Sequence, residues 1–416
     1  MSKLQSARGT HDLFGADVYK HLTVTEQLNL TAKLFGYTPI ATPIFEFFEV
    51  FHRTLGETSD VVSKETYTFE DRGGEKITLR PEGTAGVVRS LIEHGRLREL
   101  PVRHFYNGPM FRYERPQKGR QRQFHQVGFE LFGVENHFGD VELIHVAWSF
   151  LKSLKLQGDV VLEINSIGDQ DSRKAYRDEL VKYLQAHTSQ LSEDSQKRLV
   201  TNPLRILDSK EKTDQDLLKN APQFDSYLNQ ESKDFFNGVQ EGLKALGIPF
   251  VINPRLVRGL DYYRHCVFEI KSSALGAQDT ILGGGRYDGL IPMMGGPATP
   301  AVGWAAGIER LALLMPVVPE STIDAFVFGM DQSTELHALS IAAELRDAGI
   351  SVEVPYSGNM GKKLKKADKA QAKVAIIIGA DEFAKGEVMV KDLRANQQTS
   401  IPVKSLIKHI QPLLVK

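Results

Sequence analysis

Phe111-Arg112-Tyr113-Glu114-Arg115-Pro116-Gln117-Lys118-Gly119-Arg120-Gln121-Arg122-Gln123-Phe124-His125-Gln126-Val127-Gly128-Phe129-Glu130 reads as a strand end, a basic turn and a returning strand. Alternate residues of a strand share a face, so an antiparallel return sends Arg112, Gln126 and Glu130 toward one floor. The planar fork of arginine suits phosphate oxygens, and an aromatic such as Phe124 can stack on a base. A turn carrying Arg115, Lys118, Arg120 and Arg122 cannot be core, so it is open to an anionic polymer. The alternative is a solvated hairpin whose arginines and acids only pair with each other.

Four distant stretches weigh against that alternative. Leu79-Arg-Pro-Glu82-Gly-Thr84 sets a carboxylate and a hydroxyl just before a helix. Leu256-Val-Arg258-Gly-Leu-Asp261-Tyr262-Tyr263 crowds an arginine, an acid and two phenols together. Leu282-Gly-Gly-Gly-Arg286-Tyr287-Asp288 is a glycine-lined approach with charge beyond it. Gly303-Trp-Ala-Ala-Gly307-Ile-Glu309-Arg310 is a small-residue strand running into a helix. Glycines at such places let a ligand come close to the backbone. Each stretch also has a plain structural reading: Thr84 as a helix cap, Tyr262 and Tyr263 as core, Glu309-Arg310 as an ion pair.

The rest of the chain sets the frame. Its 416 residues predict about three structural units. A net charge of -1 excludes binding of nucleic acid by bulk charge, while leaving local basic surfaces possible. The single cysteine, Cys266, excludes an intrachain disulfide and a four-cysteine zinc site. Common phosphate loops are missing: Gly361-Lys362 is followed by Lys363, and Asp288 stands where a dinucleotide loop wants glycine. No G-x-S-x-G or H-E-x-x-H occurs. The opening residues lack a signal-peptide core, and apolar runs such as Val374–Ile378 are strand-sized, so no membrane span is expected and the setting is cytoplasm, or an equivalent lumen reached after loss of a targeting peptide.

Residues 1–168 are rich in Gly, Pro, Phe and alternating runs. Tyr67–Phe69 and Ile77–Leu79 flank Asp71-Arg-Gly-Gly74, a hairpin signal. Thr84–His94 sets Val87, Val88, Leu91 and Ile92 on one helical face. Residues 169–247 are poor in glycine and rich in Lys, Gln, Asp, Glu and Leu, which predicts a helical insertion. The first texture returns over 248–316, and Pro316–Pro319 reads as a linker. Within 322–416, strands at 325–328, 351–354, 373–378 and 387–390 alternate with helices at 333–348, 361–370 and 403–414, predicting an α/β domain with a mostly parallel sheet.

Together these stretches resemble histidyl-tRNA synthetase, a class II aminoacyl-tRNA synthetase family, across essentially the whole chain. Arg8-Gly-Thr-His-Asp12 and Gly36-Tyr-Thr-Pro-Ile40 with Pro43 resemble its opening and dimer-forming first motif. Phe111 through Glu130 resembles the second motif and Gly303 through Arg310 the third, with Ala305 in place of a glycine of the broader class. Segments 256–263 and 283–289 resemble two signatures peculiar to the family. The implied fold is α+β: an antiparallel sheet flanked by helices (1–168 and 248–316), a helical insertion (169–247) and an α/β anticodon-binding domain (322–416).

The resemblance also implies roles. Glu82 and Thr84 would hold the amino group of histidine; Glu130 and Tyr263 would grip its imidazole, with Gln126 and Tyr262 lining the pocket. Arg112 and Arg258 would meet the α-phosphate and the substrate carboxylate. Phe124 and Arg310 would sandwich adenine and Glu114 would read its amino group. Arg115, Gln117 and Arg120 would meet the acceptor end of tRNA(His), and the lysines between Lys362 and Lys369 would contact phosphate near the anticodon. The implied reaction activates L-histidine with ATP, carrying Mg²⁺ on its phosphates, in a homodimer. The other implied possibility is a catalytically dead relative, a regulatory subunit of ATP phosphoribosyltransferase. The presence of Arg112, Arg258, Arg310, Glu82 and Glu130, and of a following α/β domain, argues against it.

Overall fold

The computed structural model describes residues 3–55, 65–258, 262–318 and 323–414. Two compact units divide the chain, Met1–Val318 and Pro319–Lys416. Asp261 of the Arg258-to-Tyr263 stretch and Pro319 of the expected linker lie outside the described residues.

Among the described residues the strands are β1 (Thr38–Pro39), β2 (Phe45–Phe47), β3 (Tyr67–Glu70), β4 (Lys76–Leu79), β5 (Val102–Phe111), β6 (Gln123–Phe132), β7 (Val161–Ser166), β8 (Val251–Ile252), β9 (Arg264–Lys271), β10 (Thr280–Arg286), β11 (Ala301–Gly307), β12 (Ala325–Gly329), β13 (Val352–Glu353), β14 (Val374–Ile378), β15 (Glu387–Asp392) and β16 (Gln397–Pro402). The first unit is built on an eight-stranded sheet ordered β1-β5-β6-β11-β10-β9-β7-β8. Its centre is antiparallel, and parallel pairs occur only at its ends, β1 with β5 and β7 with β8.

β5 and β6 are the arms predicted around the basic turn, paired from Val102↔Phe132 to Phe111↔Gln123. One face of the sheet is covered by the helices Ala16–Phe35, Phe138–Ser153 and Gln230–Ala245, which close over Phe129, Phe268 and Trp304. Helix Thr84–Glu93 buries Val87, Val88 and Leu91 as its spacing predicts. The small sheet β2-β4-β3 carries the predicted hairpin.

The stretch predicted as an insertion is helical. Helix Gln170–Gln185 buries Tyr176, Leu180 and Leu184 at helical spacing, and helices Glu193–Thr201, Lys212–Leu218 and Gln230–Ala245 follow.

In the second unit the expectation of a mostly parallel sheet needs correction. β13-β12-β14 are parallel, but β15 and β16 are antiparallel. β16 escaped prediction because Gln397–Ser400 is polar and exposed, so an edge strand there shows no apolar alternation. The lysine-rich helix Met360–Lys369 is capped by Asn359, whose side chain accepts from Lys362 N at 3.0 Å. Lys363 does not join its neighbours at the surface. It is buried over the Phe328 ring and donates to Gly329 O at 3.0 Å, so it cannot serve as a phosphate contact.

Candidate active site

Strands β6, β10 and β11 supply the floor of an open cavity of about 230 Å³ in the first unit. Its lining brings together Glu82, Thr84, Arg112, Glu114, Arg120, Phe124, Gln126, Arg258, Tyr262, Tyr263, Tyr287 and Arg310. Stretches separated by as many as 228 positions (82 to 310) therefore converge on one space. Arg115 and Gln117 do not line it; both are exposed on the basic turn.

Glu130 lies beneath the cavity rather than in its wall. It is fully buried, and both oxygens are taken: Thr84 Oγ1 donates to Oε1 at 2.7 Å and the Tyr287 phenol donates to Oε2. Thr84 and Tyr287 carry this acid's influence to the cavity surface. Burial pushes the Glu130 carboxyl up to about 8, with the two hydroxyls pulling the other way. Gly303, opposite Glu130 in the ladder, cannot be larger: a Cβ there would stand 1.7 Å from Glu130 Oε2. Tyr287 is the partner that sequence reading overlooked. It lay inside a quoted motif, but its hydrogen bond spans 157 positions.

Glu82 reaches the cavity from the loop before helix Thr84–Glu93. Its carboxylate accepts from Thr84 N at 2.7 Å and Ala85 N at 2.9 Å, so Glu82, not Thr84, satisfies the first amides of that helix. Burial raises its pKa, partly offset by those amides. Gln126 Oε1 accepts from Gly83 N at 3.0 Å, which ties the same loop to β6.

The opposite end of the cavity is arginine-rich. Arg112 donates to Pro81 O at 2.8 Å, and its guanidinium lies 5.2 Å from the Phe124 ring centre. Arg258 is paired with Glu269, whose other oxygen accepts from Thr280 Oγ1 at 2.9 Å and faces Lys271 at 3.7 Å. Burial alone would lower the Arg258 pKa; Glu269 and the phenols of Tyr263 and Tyr262 outweigh it, holding the guanidinium charged. Gly283 passes beneath it, where a Cβ would stand 2.4 Å from Arg258 Nη1. Arg310 donates to Gly119 O at 3.3 Å, and burial with neighbouring Arg120 lowers its pKa. Glu114 faces Arg120 at 2.8 Å and Arg112 at 3.9 Å.

Two expectations are revised. Arg286, read as charge beyond a glycine approach, is fully buried and bonded to Asp140, Val134 O and Asn136 O, so it belongs to the packing. The basic turn is less open than its composition suggests, since the Arg122 guanidinium lies 3.9 Å from the Tyr113 ring centre and Arg120 faces Glu114. Sequence reading also missed Glu269; only the pairing of β9 with β10 brings it beneath Arg258.

The cavity can thus hold a polar group over a hydroxyl-bound acid at one end and anionic oxygens among guanidinium groups at the other. Comparison with known proteins agrees in extent. The family model described as histidyl-tRNA synthetase matches residues 9–311, and one described as anticodon binding domain matches 315–413. The chain is 52% identical to the histidine–tRNA ligase of Gluconobacter oxydans, covering 98% of both chains. It is also 52% identical to that of Rhodospirillum rubrum, covering 96% of this chain and 97% of the relative. The crystal structure of apo Staphylococcus aureus histidyl-tRNA synthetase superposes with a TM-score of 0.83 at 35% identity, covering 98% of this chain and all of the other. This chain belongs to the histidyl-tRNA synthetase family.

Proposed function

We propose that the chain is a histidine–tRNA ligase whose first unit activates L-histidine with ATP and esterifies it to tRNA(His). The observation that carries the reading is the single cavity joining Tyr287 and Thr84, both bonded to Glu130, with Arg112, Arg258 and Arg310. In the first step a histidine carboxylate oxygen bonds to the α-phosphorus as the bond to pyrophosphate breaks, leaving histidyl-adenylate. In the second, the hydroxyl of the terminal adenosine of tRNA attacks the acyl carbon and AMP departs. No side chain needs to form a covalent intermediate, so positioning and fixed positive charge supply the rate.

Arg112 and Arg258 hold the α-phosphate and the carboxylate. Phe124 and Arg310 flank adenine, and Glu114 accepts from its amino group. Glu82 receives the ammonium, while Thr84 and the Tyr287 phenol present the Glu130 network to the imidazole. Tyr262, Tyr263 and Gln126 close the pocket around that ring. An analogue without ring nitrogens would leave these buried groups unpaired and be rejected.

ATP is the substrate expected of this family. Mg²⁺ takes oxygen ligands and keeps several waters. Among the described residues the carboxylates at the phosphate end are engaged with cations: Glu269 by Arg258 and Lys271, Glu114 by Arg120. The chain's own residues therefore do not form a ready cradle for Mg²⁺. Arg115, Gln117 and Arg120 meet the acceptor end, and residues 322–416 serve as the anticodon-binding domain. A homodimer is supported by exposed aromatics on β2, Phe45 and Phe47, each 52% exposed. Among the described residues no helix is long and apolar enough to cross a membrane, and we infer a cytoplasmic setting.

ATP–pyrophosphate exchange with each amino acid in turn tests the reading. Histidine alone should support exchange. Exchange with another amino acid, or none with histidine, would refute it, and histidine binding without exchange would favour the regulatory relative.

A further inference from the structure

Behind Phe124 and Arg310, three side chains meet that the proposed reaction does not use. His125 follows Phe124 on β6, and Glu309 precedes Arg310 in helix Ile308–Leu314. His21 comes from the second turn of helix Ala16–Phe35. Glu309 accepts from His125 N at 2.8 Å through Oε1 and at 3.0 Å through Oε2, and His125 Nδ1 lies 2.9 Å from Oε1. The His21 ring meets the His125 ring edge-on, with centres 5.2 Å apart. One ligand-capable atom from each of the three lies within 4.8 Å of the others.

The surroundings suit a small cation that retains an open position. The cluster is half-buried, not sealed. It adjoins an open cavity of about 260 Å³ whose lining includes His21, Glu309, His11 and Asp17. Two lysines, Lys20 and Lys118, line the same cavity, and Lys20 is directed to Ala312 O at 2.9 Å.

We propose that His21, His125 and Glu309 form a binding site for a zinc-class divalent cation. Two imidazoles and a carboxylate with a fourth position open to solvent is a set that Zn²⁺ accepts. The harder Mg²⁺ and Ca²⁺ prefer all-oxygen sites. Coordination replaces the contact between His125 Nδ1 and Glu309; if that nitrogen carries the proton, it moves to Nε2 or leaves to water, so the imidazole binds neutral. An occupied site would tie the first helix to the strand and the helix that carry Phe124 and Arg310.

The test needs no substrate, so it fails or succeeds independently of the proposed reaction. Full-length chain stripped of metal is titrated with Zn²⁺ against a chromophoric chelator, and Co²⁺ is added in parallel to read its ligand-field bands. The expected result is one tight equivalent per chain, with a Co²⁺ spectrum of nitrogen and oxygen ligation. His21→Ala should weaken that equivalent by at least about 10–100-fold, the loss that outer-shell partners alone cause. The chain has 12 histidines, so scattered surface binding is the competing outcome. Unchanged Zn²⁺ affinity in a His21→Ala chain with normal circular dichroism would overturn the proposal. So would absence of a stoichiometric equivalent in the unaltered chain, a readout that does not depend on any variant folding.

Discussion

The two ends of the cavity neutralise their acids in different ways. At one end Glu130 is bound, among the described residues, by the hydroxyls of Thr84 and Tyr287. At the other, Glu269 and Glu114 face arginines. Hydroxyls bring no charge to offset burial, so the Glu130 pKa rises to about 8. Arg258 is kept charged by its carboxylate partner despite its own burial. On the proposed function, the first end discriminates a neutral or singly protonated ring by hydrogen bonds. On the same reading, the second end holds positive charge for oxygens that are already anionic. Asp140 behind the sheet makes the contrast sharper: it is equally buried, but it has Arg286 for a partner, and its pKa rises only to about 6.

Removing charge from the arginine end should have the largest effect. Arg258→Ala is expected to lower the histidine-dependent exchange rate by about 10²–10³-fold, the size of losing one preorganised charge donor. Glu269 keeps Thr280 and Lys271 as partners, so the fold should survive. Arg258→Lys should rescue poorly, because an ammonium lacks the planar fork. Steady-state exchange with a thermal melt checks this, and near-normal exchange in Arg258→Ala would erase the distinction between the two ends.

The hydroxyl end should respond next, and with a different signature. Glu130→Gln is expected to reduce kcat/KM for histidine by about 10–100-fold, in line with the roughly 1–3 kcal/mol cost of leaving one buried polar group of this network unpaired, while KM for ATP stays near normal. It should also change how stability depends on pH. The Glu130 pKa lies at about 8, above its ordinary 4.5, so the folded chain keeps this proton over a range where the unfolded chain has released it. That contribution is full below 4.5 and fades as pH rises through 8, worth roughly 3–5 kcal/mol in all. Denaturant unfolding from pH 5 to 9 should show this loss in the native chain and a flatter profile in Glu130→Gln. Parallel profiles would mean that Glu130 is already ionised at the lower pH.

How much of this contrast could be read from residues alone depends on the range of each interaction. The β5–β6 hairpin, helix Thr84–Glu93 and the helical stretch after Gln170 announce themselves through spacing of two or of three to four, which local periodicity records. Family resemblance named Arg112, Arg258 and Arg310, and all three line one cavity. Tyr287, Glu269 and the His125–Glu309 contact were not legible, because each depends on strand register or on partners far away in the chain. Glu130 was named as a direct contact, yet its depth follows from Gly303 lying opposite it, which no single stretch reveals. Arg286 misled for the same reason: its partner Asp140 is 146 positions away.

The smallest effect should come from outside both ends. Arg115 is exposed on the basic turn, while Arg120 and Arg122 of the same turn are held by Glu114 and Tyr113. A substitution there leaves the cavity walls intact, so Arg115→Ala should spare histidine-dependent exchange. Transfer to tRNA should slow by roughly 5–10-fold, as expected for losing one contact of ~1 kcal/mol with a nucleic acid. Raising the salt concentration should shrink the difference between Arg115→Ala and the native chain, because an exposed cation acts through screened charge. Exchange and charging measured on one preparation separate the possibilities. Equal loss in both steps would place Arg115 in the business of the cavity after all, and the division between its two ends would have to include the turn.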